Sequence, residues 1–445
     1  MKKLYFVILC VILCINITSC NRKDEIIIGL NYEGSGALAP YGKALLWGAQ
    51  LAVDEINASG GIDGRYVKLE KADNRSMGAE SASAVLYLKS VKGADVIIGP
   101  ATSTLAKAAL SADAEVLIIS PSATADELTA NTAPLSVCAE GTTSLAEPSV
   151  KNIVDSLTSV RDSLCFFRQS HSLNLALRAV VLCPSLAEGN IVCANGTTSL
   201  DLQGQHRFSR SENIISSNAR TSFLRLCFSD SVQGSAMGEY ANSRGFKKAA
   251  VIVDMSSDYS VGCATAFRSS FSGEVVFEGR FLSGDTDFFA LVTELSKIEF
   301  DCVYIPAYYT EAGLFIRQSR EQGIEKTFLG GDAMDSPYLA DVIGKEEYLC
   351  DIIYTDHFSY DDESFKSFAE KYRDRYGEPP PAYSALAYDS VMLYCETLRE
   401  IGVENIHLVE NAIFNTNSYS GVTGEITIKE NGDCEKQPVF VSLLD

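Results

Sequence analysis

The sequence predicts an α/β protein of two doubly wound parallel-sheet lobes with a cleft between them, and three observations carry that prediction. From residue 26 to 119, short continuous apolar runs alternate with amphipathic helical stretches. A run that is apolar at every position suits a parallel strand buried on both faces. From residue 249 to 354 the same rhythm returns. Between the two blocks, residues 131–218 follow neither period, so the chain divides into two sheets with a foreign segment between them.

In the first block a strand over 26–30 leads into Glu33-Gly34-Ser35-Gly36. The string GSGALA, residues 34–39, nearly fits the GxGxxA dinucleotide fingerprint. That fingerprint runs straight into its helix and needs an acid at the end of the second strand. Here Pro40 and Gly42 delay the expected helix over 43–58, and Asp73 falls in another frame, so nucleotide binding is not expected. The helix sets Leu45, Ala49, Ala52, Val53 and Ile56 on one face and stops at Gly60-Gly61. A strand over 66–72, a helix over 79–91, and strands over 95–98 and 116–119 with a helix between them complete a βαβαβαβ run.

The second block reads as strands over 249–254, 274–278, 302–305, 327–329 and 351–354, with helices over 264–270, 286–296 and 311–322. Helices over 363–376 and 382–401 follow, separated by Gly377-Glu378-Pro379-Pro380-Pro381. Residues 421–432 into 438–444 read as a hairpin with Asn431-Gly432 at its turn.

The 445 residues carry a net charge of −21, which argues against nucleic acid or an anionic membrane surface as partner, because phosphate recognition needs a basic footprint. Lys2-Lys3 and the apolar run 4–15 form a signal-peptide pattern, shorter than the ~20 residues of a membrane span. The 13 cysteines include no CxxC pair, and Cys302 lies in an apolar run as a small hydrophobe would. No GxSxG elbow, HExxH or P-loop is present, and His171, His206, His357 and His407 are scattered, so neither an enzyme nor a metal or cofactor site is expected.

The chemistry concentrates where two strands end. One stops at Gly99-Pro100, with Thr102-Ser103-Thr104 at the next helix start, and its neighbour stops at Ser120-Pro121-Ser122-Ala123-Thr124. Loops at the carboxyl edge of an open sheet bind small ligands, and free N–H groups and hydroxyls at a helix start suit a carboxylate. The same residues also fit two ordinary capped turns.

Residues 26–65, IIIGLNYEGSGALAPYGKALLWGAQLAVDEINASGGIDGR, together with ADVIIGPATS, LIISPSATADELT, CFSDSVQG, DYSVG and residues 301–323, resemble the substrate-binding proteins of branched-chain amino acid ABC transporters. Ile17-Thr18-Ser19-Cys20 resembles a bacterial lipobox, with Ile17 and Thr18 as departures, and implies a lipid anchor on Cys20. The family resemblance implies the type I periplasmic-binding-protein fold, two lobes joined by three crossovers. It implies an extracytoplasmic, lipid-anchored monomer that captures an amino acid and delivers it to an ABC permease, with a ligand sensor of the same fold as the alternative. Residues 1–19 would be the signal peptide, 20–130 with 357–420 the first lobe, and 219–356 with 421–445 the second. Carried over by resemblance, Ser103 holds the ligand carboxylate, and Ser122, Ala123 and Thr124 give backbone and hydroxyl contacts. Tyr41 forms the near wall, Tyr259 and Tyr308 close from the other lobe, and Asp332 pairs the α-ammonium. Asp230 and Tyr383 belong to the same expected site. Residues 131–218 split the pattern where the family has a short connection, and are expected to be an atypical insertion, poorly ordered or peripheral.

Overall fold

The protein is described from a computed structural model, which covers residues 25–130, 192–193, 196–197, 222–416 and 418–444. The expected signal peptide, the lipidation site Cys20 and nearly all of the 131–218 segment lie outside the described residues. Within that segment, β5 (Val192–Cys193) and β6 (Gly196–Thr197) form an antiparallel pair in a compact unit of their own.

In the first sheet, β1 (Glu25–Tyr32) is flanked by β2 (Tyr66–Asp73) and β3 (Val96–Ile98), and β4 (Leu117–Ser120) follows. All pairings are parallel. The three residues of β3 and the four of β4 are buried throughout, as their unbroken apolar runs require. The fifth strand, β7 (Ser222–Arg225), pairs with β4. The sequence reading put residues 222–225 in the second lobe. The free edge of β4 takes them instead, because Phe223 and Leu224 complete the buried surface of the first sheet.

The second sheet repeats the plan with β8 (Lys248–Asp254) between β9 (Glu274–Phe281) and β10 (Cys302–Tyr304), followed by β11 (Thr327–Gly330) and β12 (Ile352–Asp356). Each sheet therefore reverses direction beside its first strand, at β1/β3 and at β8/β10. Such switch points open a crevice at the carboxyl ends of the strands.

The chain passes between the lobes three times: after β7, after β12, and before the last strand, β16 (Val439–Ser442), which pairs antiparallel with β12. After the second passage, helices Glu363–Tyr376 and Ala382–Ile401 pack on helix Ala39–Ala58 of the first lobe. A Cβ on Gly48 would lie 1.9 Å from the Ser384 carbonyl oxygen, so the absence of a side chain there lets the helices approach closely. β13 (Tyr419–Gly421), β14 (Gly424–Ile428) and β15 (Cys434–Glu435) make a small antiparallel sheet. The expected hairpin is thus corrected: the turn with Asn431-Gly432 joins β14 to β15, while β16 leaves for the second lobe. The small sheet is held on the first-lobe side, where Arg225 N donates to Gly432 O at 3.0 Å and the Asp389 carboxylate accepts from the backbone of Val422 and Thr423.

The two helix starts furthest from expectation are those at Ala39 and Asp258. Pro40 does not delay the first helix but sits in its first turn, where a missing N–H costs nothing. Helix Asp258–Ser270 starts six residues before the expected 264, capped by the Ser257 side chain. Among the described residues no helix is long and apolar enough to cross a membrane, and the free cysteines are buried except Cys350.

Candidate functional site

The carboxyl ends of β1, β3 and β4 build the first-lobe half of the cleft. Gly99 takes φ +89°, a conformation open to glycine, and a Cβ there would lie 2.2 Å from the Asn31 carbonyl oxygen. The next residues bind one another across the two loops. Ser120 Oγ donates to Pro100 O and Ser122 Oγ to Ala101 O, each at 2.8 Å, while Ala125 N donates to Ser103 Oγ at 3.1 Å. Helix Ser103–Leu110 receives no side-chain cap from Thr102, whose buried hydroxyl has no partner. The simple capped-turn alternative therefore does not describe this loop.

Glu33 meets that helix start instead. It is fully buried at the end of β1 and accepts from Ala101 N at 3.1 Å. Burial lifts its carboxyl to about 7, against the backbone donors of Ala101 and Thr102 and the Asn74 side chain, which favour the ionised form. Arg225, 1% exposed, is the second residue that the sequence did not single out. It donates to the Thr124 and Ala125 carbonyls at 2.7 and 2.8 Å and pairs with Asp433 at 2.7 Å, bracing the loop after β4 from beneath.

From the second lobe, Ser229 and Ser257 cap their helices and place Asp230 and Tyr259 in the first turns. Asp230 N donates to Thr124 O at 2.8 Å, which joins it to the first-lobe loop. Its carboxyl is pushed well above the usual range, first by burial and further by Asp332. Asp332, 1% exposed, follows Gly330-Gly331 at the end of β11. Gln233, one helical turn beyond Asp230, accepts from Asp332 N at 3.2 Å and from Thr355 Oγ1 at 3.0 Å. Two carboxylate oxygens, Asp230 Oδ2 and Asp332 Oδ1, are buried without a protein partner.

The four expected tyrosines form one chain of rings. Tyr41 lies 4.7 Å from Tyr383 and 5.4 Å from Tyr308, and Tyr308 lies 5.8 Å from Tyr259, between ring centroids. Tyr41 also ties the lobes: its hydroxyl donates to Ala333 O at 2.7 Å and accepts from Tyr309 N at 3.0 Å. Burial raises the phenols of Tyr41, Tyr259, Tyr308 and Tyr383, so all four stay neutral. At the rim Lys43 Nζ meets Glu378 and the Tyr338 hydroxyl, each at 3.0 Å, and Thr104 Oγ1 meets Asp258 at 3.4 Å. These exposed contacts are individually weak.

The four tyrosines lie together, Asp230 is bonded to Thr124 and lies beside Asp332, and Ser103 meets the loop after β4 through Ala125 N, while Ala123 N is already engaged by Ser120 Oγ at 3.2 Å. Ser122 departs in detail, because its hydroxyl turns back onto Ala101 O at 2.8 Å. Among the described residues no group of three or more His, Cys, Asp and Glu is arranged to hold a metal ion.

Comparison with known proteins agrees with this geometry. The family model for periplasmic binding proteins matches residues 25–181 and 186–442. The Leu/Ile/Val-binding protein BraC3 of Rhizobium johnstonii is 24% identical over 420 residues, covering 93% of this chain and 90% of that protein. The branched-chain amino acid transporter substrate-binding protein LivJ of Streptococcus pneumoniae, solved with isoleucine, is 30% identical, with a TM-score of 0.71 over 94% of this chain and 96% of that one. The leucine-binding protein LivK of Thermotoga maritima, 24% identical over 93% of this chain and 94% of its own, superposes with a TM-score of 0.67 and shows the same fold. With two switch-point sheets, three passages and a match along nearly its whole described length, the chain belongs to the periplasmic binding protein family, as a non-enzymatic binding protein of the branched-chain amino acid transporter type with the type I fold.

Proposed function

We propose that this protein captures an aliphatic L-α-amino acid of the branched-chain kind outside the cytoplasm and delivers it to an ABC permease. One observation carries the reading: the cleft sets two partnerless carboxylate oxygens, on Asp230 and Asp332, beside a wall of neutral tyrosine rings. An α-ammonium group satisfies the acids, and an apolar side chain packs on the rings. In this reading Asp332 is the principal ammonium partner, and Asp230, its carboxyl pushed up by burial, supports it as an uncharged hydrogen-bond acceptor. Ser103, the Ala123 and Thr124 backbone and the Thr124 hydroxyl hold the carboxylate, while Ser122 shapes the loop. Tyr41, Tyr259, Tyr308 and Tyr383 enclose the side chain. The likeness to the isoleucine-bound pneumococcal protein supports the ligand class. The protein acts as a monomer, tethered by lipid on Cys20.

Titration calorimetry on protein freed of carried-over ligand tests this. L-Isoleucine, L-leucine or L-valine should bind, Ser103→Ala should weaken binding about tenfold, and Asp332→Asn about a hundredfold, as expected for neutral and charged hydrogen bonds. Absence of binding by any of the three amino acids overturns the reading.

A further inference from the structure

His357 stands directly after β12, where the chain passes between the lobes for the second time. It is 1% exposed. Its Nε2 lies 3.0 Å from Asp332 Oδ2, and its ring stacks on Phe228, from the first passage, with centroids 3.9 Å apart. Its backbone N donates to Asp356 Oδ1 at 2.6 Å. The ring is therefore clamped by two passages between the lobes and pointed at an acid of the cleft. A neutral imidazole that donates through Nε2 carries its lone pair at Nδ1, and Nδ1 has no partner among the described residues.

We propose that His357 is the positioning residue for Asp332: its ring holds Oδ2, leaves Oδ1 as the oxygen that meets a ligand ammonium, and by taking up a proton makes capture of a zwitterion proton-linked. This rests on the amino acid reading of the site. While neutral, the ring places no positive charge beside the carboxylate that meets the ammonium. When Nδ1 takes a proton from solvent, the ring becomes a cation hydrogen-bonded to the same carboxylate, and the pair no longer offers net charge to the ligand. By linkage, the bound ammonium must oppose that protonation by the same factor.

The surroundings favour the neutral ring. Burial lowers its affinity for a proton and the buried Lys436, from the third passage, adds to this, while the bond to Asp332 acts the other way. Around the pair also stand Asp335 and Asp356, Asp230 and Cys227 on the first passage, Cys263 and Tyr304 in the second lobe, and the neutral rings of Tyr259, Tyr308 and Tyr383. Asp356 and Asp230 are pushed well up by burial and so tend to stay uncharged, as does the Cys227 thiol. The proton-linked weakening of binding therefore falls below the ordinary imidazole range, not above it.

Titration calorimetry with L-isoleucine and its α-hydroxy analogue, between about pH 4 and pH 8, on the parent, His357→Gln and His357→Leu proteins decides the matter. Glutamine keeps a donor for Asp332 and does not titrate. The parent should lose about tenfold in isoleucine affinity as the pH falls, and His357→Gln should stay within about threefold of the neutral-pH value with a flatter profile. His357→Leu should weaken isoleucine about tenfold at neutral pH and leave the hydroxy acid nearly unchanged, since that ligand has no ammonium to meet. If His357→Leu fails to fold, the pH profile of His357→Gln decides alone. Equal slopes for the parent and His357→Gln, or equal losses for both ligands in His357→Leu, overturn the inference while the reading of the site stands. A parent protein that binds no amino acid overturns the reading and the inference with it.

Discussion

Glu33 shows what a single buried side chain does to the molecule. Its carboxyl, raised by burial to about 7 from the ordinary 4.5, holds a proton in the folded protein that the unfolded chain has already released. The stability it contributes is complete below the unfolded value and is lost as the pH rises through about 7. Glu33→Gln keeps an acceptor for Ala101 N without the charge. The parent should melt at lower temperature as the pH goes from about 6 to 8, and Glu33→Gln should lose most of that slope, read by circular dichroism melts. In the sequence, Glu33 before Gly34 looks like an acid on a solvated turn, because burial by later loops leaves no local mark. Ser103, Ser122 and Thr124 were legible because hydroxyls cluster where two apolar runs stop. His357 was visible only as one of a few scattered histidines, since its partner Asp332 is 25 residues away in the chain.

At the scale of the element, β7 is the instructive case. Its four residues continue a sheet whose previous strand ended at Ser120, on the far side of a long segment of unrelated composition. Periodicity within a window cannot bridge that gap, so the strand was assigned forward to the next lobe instead of back to β4. What fixes it is Arg225, whose guanidinium donates to the Thr124 and Ala125 carbonyls of the loop after β4, about a hundred residues earlier in the chain. Arg225→Met should remove one of two cationic partners of Asp433, leave the Ala125 carbonyl without its guanidinium donor, and leave Thr124 O with Asp230 N alone. The expected loss is about 3–5 kcal/mol of stability by urea denaturation, the size typical of breaking a buried pair. Most other elements were legible to within a few residues, because parallel strands buried on both faces announce themselves as unbroken apolar runs. Helix starts were less so: Pro40 looks like a delay until its place in the first turn is known.

For the whole molecule, the order of two sheets followed by two helices and a return was readable from the alternation of periods. The closing of one lobe on the other was not, since it rests on contacts between residues hundreds of positions apart. Tyr41 concentrates this: one hydroxyl serves Ala333 O and Tyr309 N, both on the opposite lobe. Tyr41→Phe leaves the ring and its stacking in place and removes both bonds. It should weaken isoleucine binding about tenfold, the size of one to two neutral hydrogen bonds lost in a buried place. Small-angle scattering of the unliganded variant should show a larger radius of gyration than the parent, as the population moves toward an open cleft.

The threading of the chain also sets the order in which the molecule can be finished. The first lobe lacks helices Glu363–Tyr376 and Ala382–Ile401 until the body of the second has been made, and the β12 edge of the second lobe stays bare until β16 arrives among the last residues described. Neither lobe is completed by a continuous stretch of chain, so pairing of distant segments has to be accomplished late. A chain emerging from a membrane from its N-terminus therefore presents two half-built sheets, and that strand edge stays open to wrong partners until the final strand closes it.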